Sequence, residues 1–174
     1  MRVANRPAGF IVNRAGPEDA PAIADLWFRH LAETSGGIDP TFTPALTVQK
    51  TTARLKRALA AGTLLGWIAR AEGQSRLQLA GYLTACVQLD DPLFGDTFEY
   101  EPVLYIVDVD VEEAYRRRGL SSLLMEHASE HARRQRISTL ELAVVVRDDR
   151  AVAAWKKQGF EPRVSVMRRT VAKR

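Results

Sequence analysis

The chain has 174 residues, of which 46% are hydrophobic and 26% charged, with a formal net charge of +4. This composition is typical of one folded domain over residues 1–174 and excludes an intrinsically disordered chain. Because Cys86 is the only cysteine, an internal disulfide is excluded and a reducing cytoplasm is the expected compartment. No apolar stretch reaches the roughly 20 residues of a membrane helix, so no membrane association is expected.

The first part of the chain changes from helical to strand periodicity near residue 64. Hydrophobic period and turn residues predict these elements: a strand at 10–14, a helix from Pro17 that is broken at 35–37 and Pro40, a helix at 44–61, strands at 64–71 and 77–89 joined by a hairpin, and a surface loop at 90–99.

The second part of the chain alternates strands with helices. The predicted elements are a strand at 103–111, a helix at 119–135, a strand at 140–146, a helix at 149–158 and a last strand at 160–171. The order β-α-α-β-β-β-α-β-α-β predicts an α/β fold with a mixed β-sheet flanked by helices.

One segment, residues 105–122, indicates anion binding. A strand is followed by a short turn, then by Arg116, Arg117, Arg118 and Gly119, and then by a helix. The first N–H groups of a helix have no intrahelical partner, and glycine lets a ligand approach the backbone closely. Arginine adds permanent positive charge that suits phosphate. The segment therefore favours a pyrophosphate site, although an arginine run before a helix is also typical of a solvated turn.

Two motifs carry a resemblance to the GCN5-related N-acetyltransferase (GNAT) family. Residues 116–121, RRRGLS, resemble its coenzyme A motif Q/R-x-x-G-x-G/A, with Ser121 replacing Gly or Ala. Residues 148–160, DDRAVAAWKKQGF, resemble N-x-x-A-x-x-x-Y-x-x-x-G-F, with Asp148 and Trp155 replacing Asn and Tyr. The element order is also similar, so the chain is identified as a family member over nearly its whole length.

The resemblance implies that acetyl-coenzyme A lies between the fourth and fifth strands. An acceptor amine would attack its thioester directly in a ternary complex, while a backbone amide near Val109 would bond the acetyl carbonyl. The implied cofactor-binding residues are Val109, Asp110, Val111, Arg116, Arg117, Arg118, Gly119, Leu120, Ser121, Ser122, Asp148, Ala151 and Trp155.

The attacking amine must be neutral, so a carboxylate or a water chain is expected to take its proton. Asp108, on the strand beside the predicted thioester, is the first candidate for this catalytic base, with Glu99, Glu101 and Asp110 as alternatives. The family places a tyrosine acid where this chain has Trp155, and an indole cannot protonate the leaving thiolate at neutral pH.

The acceptor is expected to be a small-molecule primary amine. Acidic residues near the predicted acceptor region would attract a cationic amine: Asp39, Asp90, Asp91, Asp96 and Glu99. One alternative is a peptide or protein acetyltransferase acting on lysine or an N-terminus. Another is a non-catalytic acyl-coenzyme A sensor domain, which the replacement at Trp155 favours. A homodimer is compatible with the family resemblance.

Two further patterns are not assigned a function. His127 and His131 form H-x-x-E-H, the inverted zinc-protease pattern, but a third ligand and an open cleft over the helix are also needed, so no metal is expected. The basic clusters at 133–136 and 168–174 lack interleaved aromatic residues, so no nucleic-acid partner is expected.

Overall fold

The computed structural model describes residues 7–34, 47–73, 75, 78–89 and 101–165, without the side chains of 32–34. The strands are β1 (Phe10–Arg14), β2 (Leu65–Ala71), β3 (Gly81–Gln88), β4 (Val103–Val111) and β5 (Thr139–Leu142). The helices are α1 (Ala20–Thr34), α2 (Val48–Ala61), α3 (Leu120–Arg134) and α4 (Asp149–Lys157), with short 3-10 turns at Pro17–Asp19 and Glu113–Tyr115.

The five strands form one mixed sheet in the order β1-β2-β3-β4-β5. The first four strands are antiparallel to their neighbours, whereas β5 runs parallel to β4 because α3 connects them as a crossover. A turn through Gly73, which has a φ of +80°, follows β2. These strands and helices confirm the predicted α/β fold with a mixed sheet.

Helices cover both faces of the sheet. The pair α1 and α2 packs on one face, where Ile23 and Leu26 of α1 contact Ile68 and Tyr82 of the sheet. The apolar side of α3 packs on the opposite face and buries Leu120, Leu123, Leu124, Met125, Ala128 and Ala132. Both helix groups follow the apolar spacing of their sequences.

A β-bulge in β4 changes which residues face each helix layer. Thr84 of β3 pairs with Asp108, but the next residue of β3, Ala85, pairs with Ile106, so Val107 has no opposite partner on β3. An extra residue reverses the alternation of side chains along the strand. Ile106 therefore faces the α3 layer, whereas Asp108 and Asp110 face α1.

Two predicted strands differ from the structure. The fifth strand ends at Leu142 instead of 146, because the N–H of Asp148 donates to the carbonyl of Val145 (2.9 Å) and the chain turns there. A run of valines favours a strand only where a partner strand is available. Of the predicted last strand, residues 160–165 are not in a strand, and 166–171 lie outside the described residues.

Several other predicted features also lie outside the described residues: the helix break at 35–37 and Pro40, the start of the second helix at 44–46, and the loop at 90–99. The chain divides into two compact units, residues 1–143 and 144–174. The single domain over 1–174 stays a prediction. Within the described ranges, no helix has the length and apolar character needed to cross a bilayer.

Candidate active site

The edge of β4 that faces β5 is only partly paired. β5 pairs with β4 from Val103 to Ile106, and no strand of the described residues continues this pairing toward Val111. On the other edge, the N–H of Glu112 donates to the carbonyl of Ala80, at the end of β3 (3.0 Å). Backbone groups alternate along a strand, so the N–H groups of Val109 and Val111 point toward the unpaired edge.

The turn after β4 leads into a helix without a capping side chain. Gly119 is the N-cap of α3 with a φ of +80°, and Arg117 is also left-handed with a φ of +66°. The N–H of Leu123 donates to the Gly119 carbonyl (3.0 Å), which leaves the preceding N–H groups of α3 without an intrahelical acceptor. The first turn contains no acidic residue. This N-terminus is therefore suited to an anion such as a phosphate.

The arginines before α3 are exposed, and two of them are held by local contacts. The Nε of Arg116 donates to the carbonyl of Val111 (2.9 Å), and its Nη2 lies 3.4 Å from Nδ1 of His30. The guanidinium of Arg118 lies over the ring of Tyr115, 5.6 Å from its centroid. The loop thus keeps its positive charge beside the N-terminus of α3, with Arg116 attached to the end of β4.

Asp108 lies on the face of β4 that is covered by α1. The buried hydroxyl of Tyr82 on β3 donates a hydrogen bond to Oδ2 of Asp108. Burial raises the pKa of Asp108, and the hydrogen bonds from Tyr82 and from the N–H of Val109 oppose this effect. Burial, followed by the charge of Asp108, raises the pKa of Tyr82 well above its usual value. Tyr82 is therefore a neutral donor at physiological pH.

Asp110, two residues along the same face, has a different set of contacts. Its side chain is 6% exposed, Oδ1 accepts the N–H of Val111 (2.7 Å), and Oδ1 lies 3.4 Å from Nδ1 of His30. Its Oδ2 is buried without a hydrogen-bond partner in the described part of the chain. Burial raises the pKa of Asp110 to about 6, and the charge of His30 opposes this shift.

Tyr82 and His30 are polar residues of this site that the sequence analysis did not assign to it. The signal for His30 is its position on the helical stripe that also contains Ile23, Leu26 and Trp27, since that stripe faces the sheet. No comparable signal identifies Tyr82, because a tyrosine in an apolar strand is equally typical of the core.

The second motif forms a helix start. Oδ1 of Asp148 accepts the N–H of Ala151 (2.9 Å) and caps α4. The ring of Trp155 packs edge-on against Phe160, with centroids 5.5 Å apart. These contacts lie within the unit of residues 144–174. The cofactor roles of Asp148, Ala151 and Trp155 stay predictions.

The remaining candidate residues have other surroundings or are not described. Glu101 accepts a hydrogen bond from Ser138 (3.2 Å), and the ring of His131 packs edge-on against Trp67, with centroids 5.6 Å apart. No group of three potential metal ligands occurs among the side chains that the structure describes. The acidic residues predicted to attract an amine lie outside the described residues: Asp39, Asp90, Asp91, Asp96 and Glu99.

The fold and the site together define an acyltransferase class: a mixed sheet with a partly unpaired fourth strand, followed by a turn and an uncapped helix N-terminus. Residues 36–160 match the model of the acetyltransferase (GNAT) family, and the chain belongs to this family. No curated protein sequence matches the chain significantly.

Several solved structures are similar to this fold. A protein from Bacillus halodurans, solved as a tetramutant, is 18% identical with a TM-score of 0.75, and the match covers 92% of this chain and 99% of that one. A predicted acetyltransferase from Clostridium acetobutylicum, solved with acetyl-coenzyme A, is 17% identical with a TM-score of 0.68, covering 92% and 96%. An aminoglycoside acetyltransferase from an uncultured soil sample, solved with sisomicin, is 17% identical with a TM-score of 0.67, covering 94% and 97%.

Proposed function

We propose that this protein is an acetyl-coenzyme A-dependent N-acetyltransferase that transfers the acetyl group to a primary amine of a small molecule. The observation that carries the proposal is the sequence of an unpaired β4 edge, a left-handed Gly119 and the uncapped N-terminus of α3. The cytoplasm is the proposed location, since Cys86 is a free thiol in a chain with no second cysteine.

The contacts of this segment fit the parts of acetyl-coenzyme A. The N–H groups of Leu120, Ser121 and Ser122 would bind the pyrophosphate, and Arg116–Arg118 would add positive charge. The pantetheine arm would pair with the open backbone edge at Val109 and Val111, as an added strand does. In the structure the N–H groups of Val109 and Val111 bond the carboxylates of Asp108 and Asp110, so the ligand would compete with these side chains for both N–H groups.

The transfer requires a neutral amine and a polarised thioester. The acetyl carbonyl, bonded to the N–H of Val109, would develop negative charge as the amine nitrogen attacks the carbonyl carbon. The C–N bond then forms as the C–S bond breaks, and the thiolate of coenzyme A leaves. The amine must also lose a proton, and Asp108 and Asp110 are the carboxylates that flank Val109 on β4.

A small cationic amine suits the acidic face of β4. Asp108 and Asp110 place two carboxylates beside the proposed thioester position, where they would attract an ammonium group. The similar aminoglycoside acetyltransferase was solved with sisomicin, an amine-bearing ligand of that protein. Sisomicin is therefore a sensible first member of an acceptor panel, together with spermidine, tyramine and an unblocked peptide.

Calorimetry with acetyl-coenzyme A tests the cofactor site. A Glu at position 119 places a negative charge at the N-terminus of α3, where a Cβ on this residue would meet nothing within 4 Å, so the side chain has room. Gly119→Ala is the matched control, because any L-residue at a φ of +80° has the same backbone strain of about 1–2 kcal/mol. We expect micromolar binding by the native chain, weaker binding by Gly119→Ala, and no binding by folded Gly119→Glu.

Thiol release with the amine panel tests the transfer. Release of coenzyme A with a small amine, together with an acetylated product by mass spectrometry, supports the proposal. Release only with the peptide would instead favour a peptide or protein acetyltransferase. Binding of acetyl-coenzyme A without release for any amine would refute the transfer and favour the sensor function. No binding by the native chain would refute the proposal as a whole.

A further inference from the structure

We propose that Asp110, and not Asp108, accepts the proton of the acceptor amine, and that His30 on α1 is the residue that positions and tunes Asp110. This inference deepens the proposed function and depends on it. It gives a residue of α1 a role in the reaction, although His30 and Asp110 are 80 positions apart in the chain.

The two oxygens of Asp110 have different surroundings. Oδ1 is fixed by the N–H of Val111 and by the nearby ring of His30, at 2.7 and 3.4 Å. Oδ2 is buried without a hydrogen-bond partner among the described residues. A buried, unpaired carboxylate oxygen costs free energy, and a proton or an N–H group at that oxygen removes the cost. Oδ2 is therefore an oriented acceptor whose hydrogen-bonding capacity the described residues leave unused, and in the proposed complex the amine would use it.

Asp108 lacks such an open oxygen, because its Oδ2 accepts the hydroxyl of Tyr82. Tyr82 remains neutral and keeps donating at physiological pH, since burial raises its pKa well above the usual value. A proton arriving at Asp108 Oδ2 would have to displace this hydrogen bond. Burial raises the pKa of Asp108 and this donor opposes the shift, but the donor also occupies the oxygen that would take a proton from the amine.

Asp110 is the chain neighbour of the residue proposed to bond the acetyl carbonyl. Its Cα is about 3.8 Å from that of Val109, whose N–H is the proposed donor to the acetyl carbonyl. Asp108 is equally close on the other side of Val109, so distance does not separate the two carboxylates. The two carboxylates differ instead in their hydrogen-bond partners.

Asp110 is surrounded by titratable and charged groups from several elements. His30 faces it from α1, Arg116 from the turn before α3, Tyr82 from β3 and Asp108 from its own strand. Burial raises the pKa of Asp110 to about 6, Asp108 acts in the same direction, and the charges of His30 and Arg116 lower it. His30 is 39% exposed and lies 3.4 Å from Oδ1 of Asp110, so it forms the solvent-facing side of this cluster.

The proton step can be written in full. The ammonium form of the acceptor loses one N–H proton to Oδ2 of Asp110 and becomes a neutral amine. The amine nitrogen bonds to the acetyl carbon, the C–S bond breaks, and the second proton of the nitrogen neutralises the coenzyme A thiolate directly or through water. Asp110 then returns its proton to solvent, so one proton is released per amide formed.

The test compares Asp110→Asn, Asp108→Asn and His30→Gln in acetyl-coenzyme A binding and in the pH dependence of kcat. Because kcat reports groups in the ternary complex, its acid limb shows the ionisation of the base. In the native enzyme we expect this limb near pH 6, as the pKa of Asp110 indicates. Asp110→Asn should still bind acetyl-coenzyme A, with an affinity altered only by the changed competition for the Val111 N–H. It should lose about 10²–10⁴-fold in kcat and lose the acid limb.

The other two variants separate the proton acceptor from its neighbours. Asp108→Asn should keep the acid limb but move it to lower pH, because the charge of Asp108 raises the pKa of Asp110. His30→Gln removes a charge that lowers the pKa of Asp110, so the limb should move to higher pH, which a purely structural role of His30 would not cause.

Three results would overturn the inference. The first is an acid limb that is lost in Asp108→Asn but kept in Asp110→Asn, and the second is an acid limb that does not move in His30→Gln. The third is an effect of Asp110→Asn on KM alone, which would make Asp110 an ammonium-binding residue. Failure of the native chain to bind acetyl-coenzyme A, or to release thiol with any amine, would refute the proposed function and this inference with it.

Discussion

Replacing Asp110 by Asn tests how the buried carboxylate affects the free energy of unfolding. Asp110 is 6% exposed, and its pKa rises from 3.8 to about 6 because burial disfavours the charge. Between these two pH values the folded protein binds more protons than the unfolded chain, so the free energy of unfolding falls as the pH rises through this window. One pKa unit corresponds to about 1.4 kcal/mol, so the loss by pH 8 amounts to roughly 3 kcal/mol.

Urea denaturation at pH 4 and pH 8 measures this effect. The amide introduced by Asp110→Asn carries no charge at either pH, so burying it does not reduce the free energy of unfolding as the pH rises. The free energy of unfolding of the variant minus that of the native chain should therefore be higher at pH 8 than at pH 4, by roughly 2 kcal/mol. Any constant cost of the new amide cancels in this comparison. Asp25→Asn is the control, since Asp25 is 66% exposed and its substitution should change this difference by under about 0.5 kcal/mol. If the free energies of unfolding of Asp110→Asn and the native chain differed by the same amount at pH 4 and pH 8, burial would not control the pKa of Asp110.

Two further substitutions test single contacts. Tyr82→Phe removes the hydroxyl that bonds buried Asp108, so we expect the free energy of unfolding in urea at pH 8 to fall by about 1.5–3 kcal/mol. This loss should shrink at low pH as Asp108 becomes protonated, and a loss that does not depend on pH would contradict the prediction. Asp148→Ala removes the cap at the Ala151 N–H and should cost about 1 kcal/mol, against a few tenths for the exposed Asp149→Ala. If Asp148→Ala instead weakened acetyl-coenzyme A binding at unchanged stability, Asp148 would contact the ligand.

Strands and helices with strong local signals could be predicted from the sequence. β4 has the predicted bounds, Val103–Val111, because β-branched residues dominate it. α2 ends at the predicted glycine, Gly62, which adopts a φ of +70° as a helix C-terminus requires. The strand–turn–helix at Gly119 was predicted for the same reason, since it is local in sequence.

Alternation could predict that the two acids of β4 share a face, but not that Ile106 lies on the opposite face, because this depends on pairing with β3. Simple alternation assigns Ile106, Asp108 and Asp110 to one face of the strand, but the bulge at Val107 separates Ile106 from the two acids. Val107 resembles the other valines of the strand, so its own identity does not mark the bulge. The contacts of His30 and Tyr82 with these acids depend on the packing of α1 and β3, which local patterns do not specify.

The buried acids of the described residues differ in how completely the structure satisfies them. Asp19, 9% exposed, accepts both the guanidinium of Arg70 (2.7 Å) and the N–H of Gly16 (2.8 Å), one at each carboxylate oxygen, so its burial is explained by the fold itself. Asp110 is buried to a similar degree and has an oxygen without a partner in the same described ranges. A buried polar group without a hydrogen-bond partner lowers stability, so it is expected at a functional site rather than in a structural core. Asp110 also flanks the unpaired edge of β4, and the proposed acceptor amine would supply the missing partner through an N–H group.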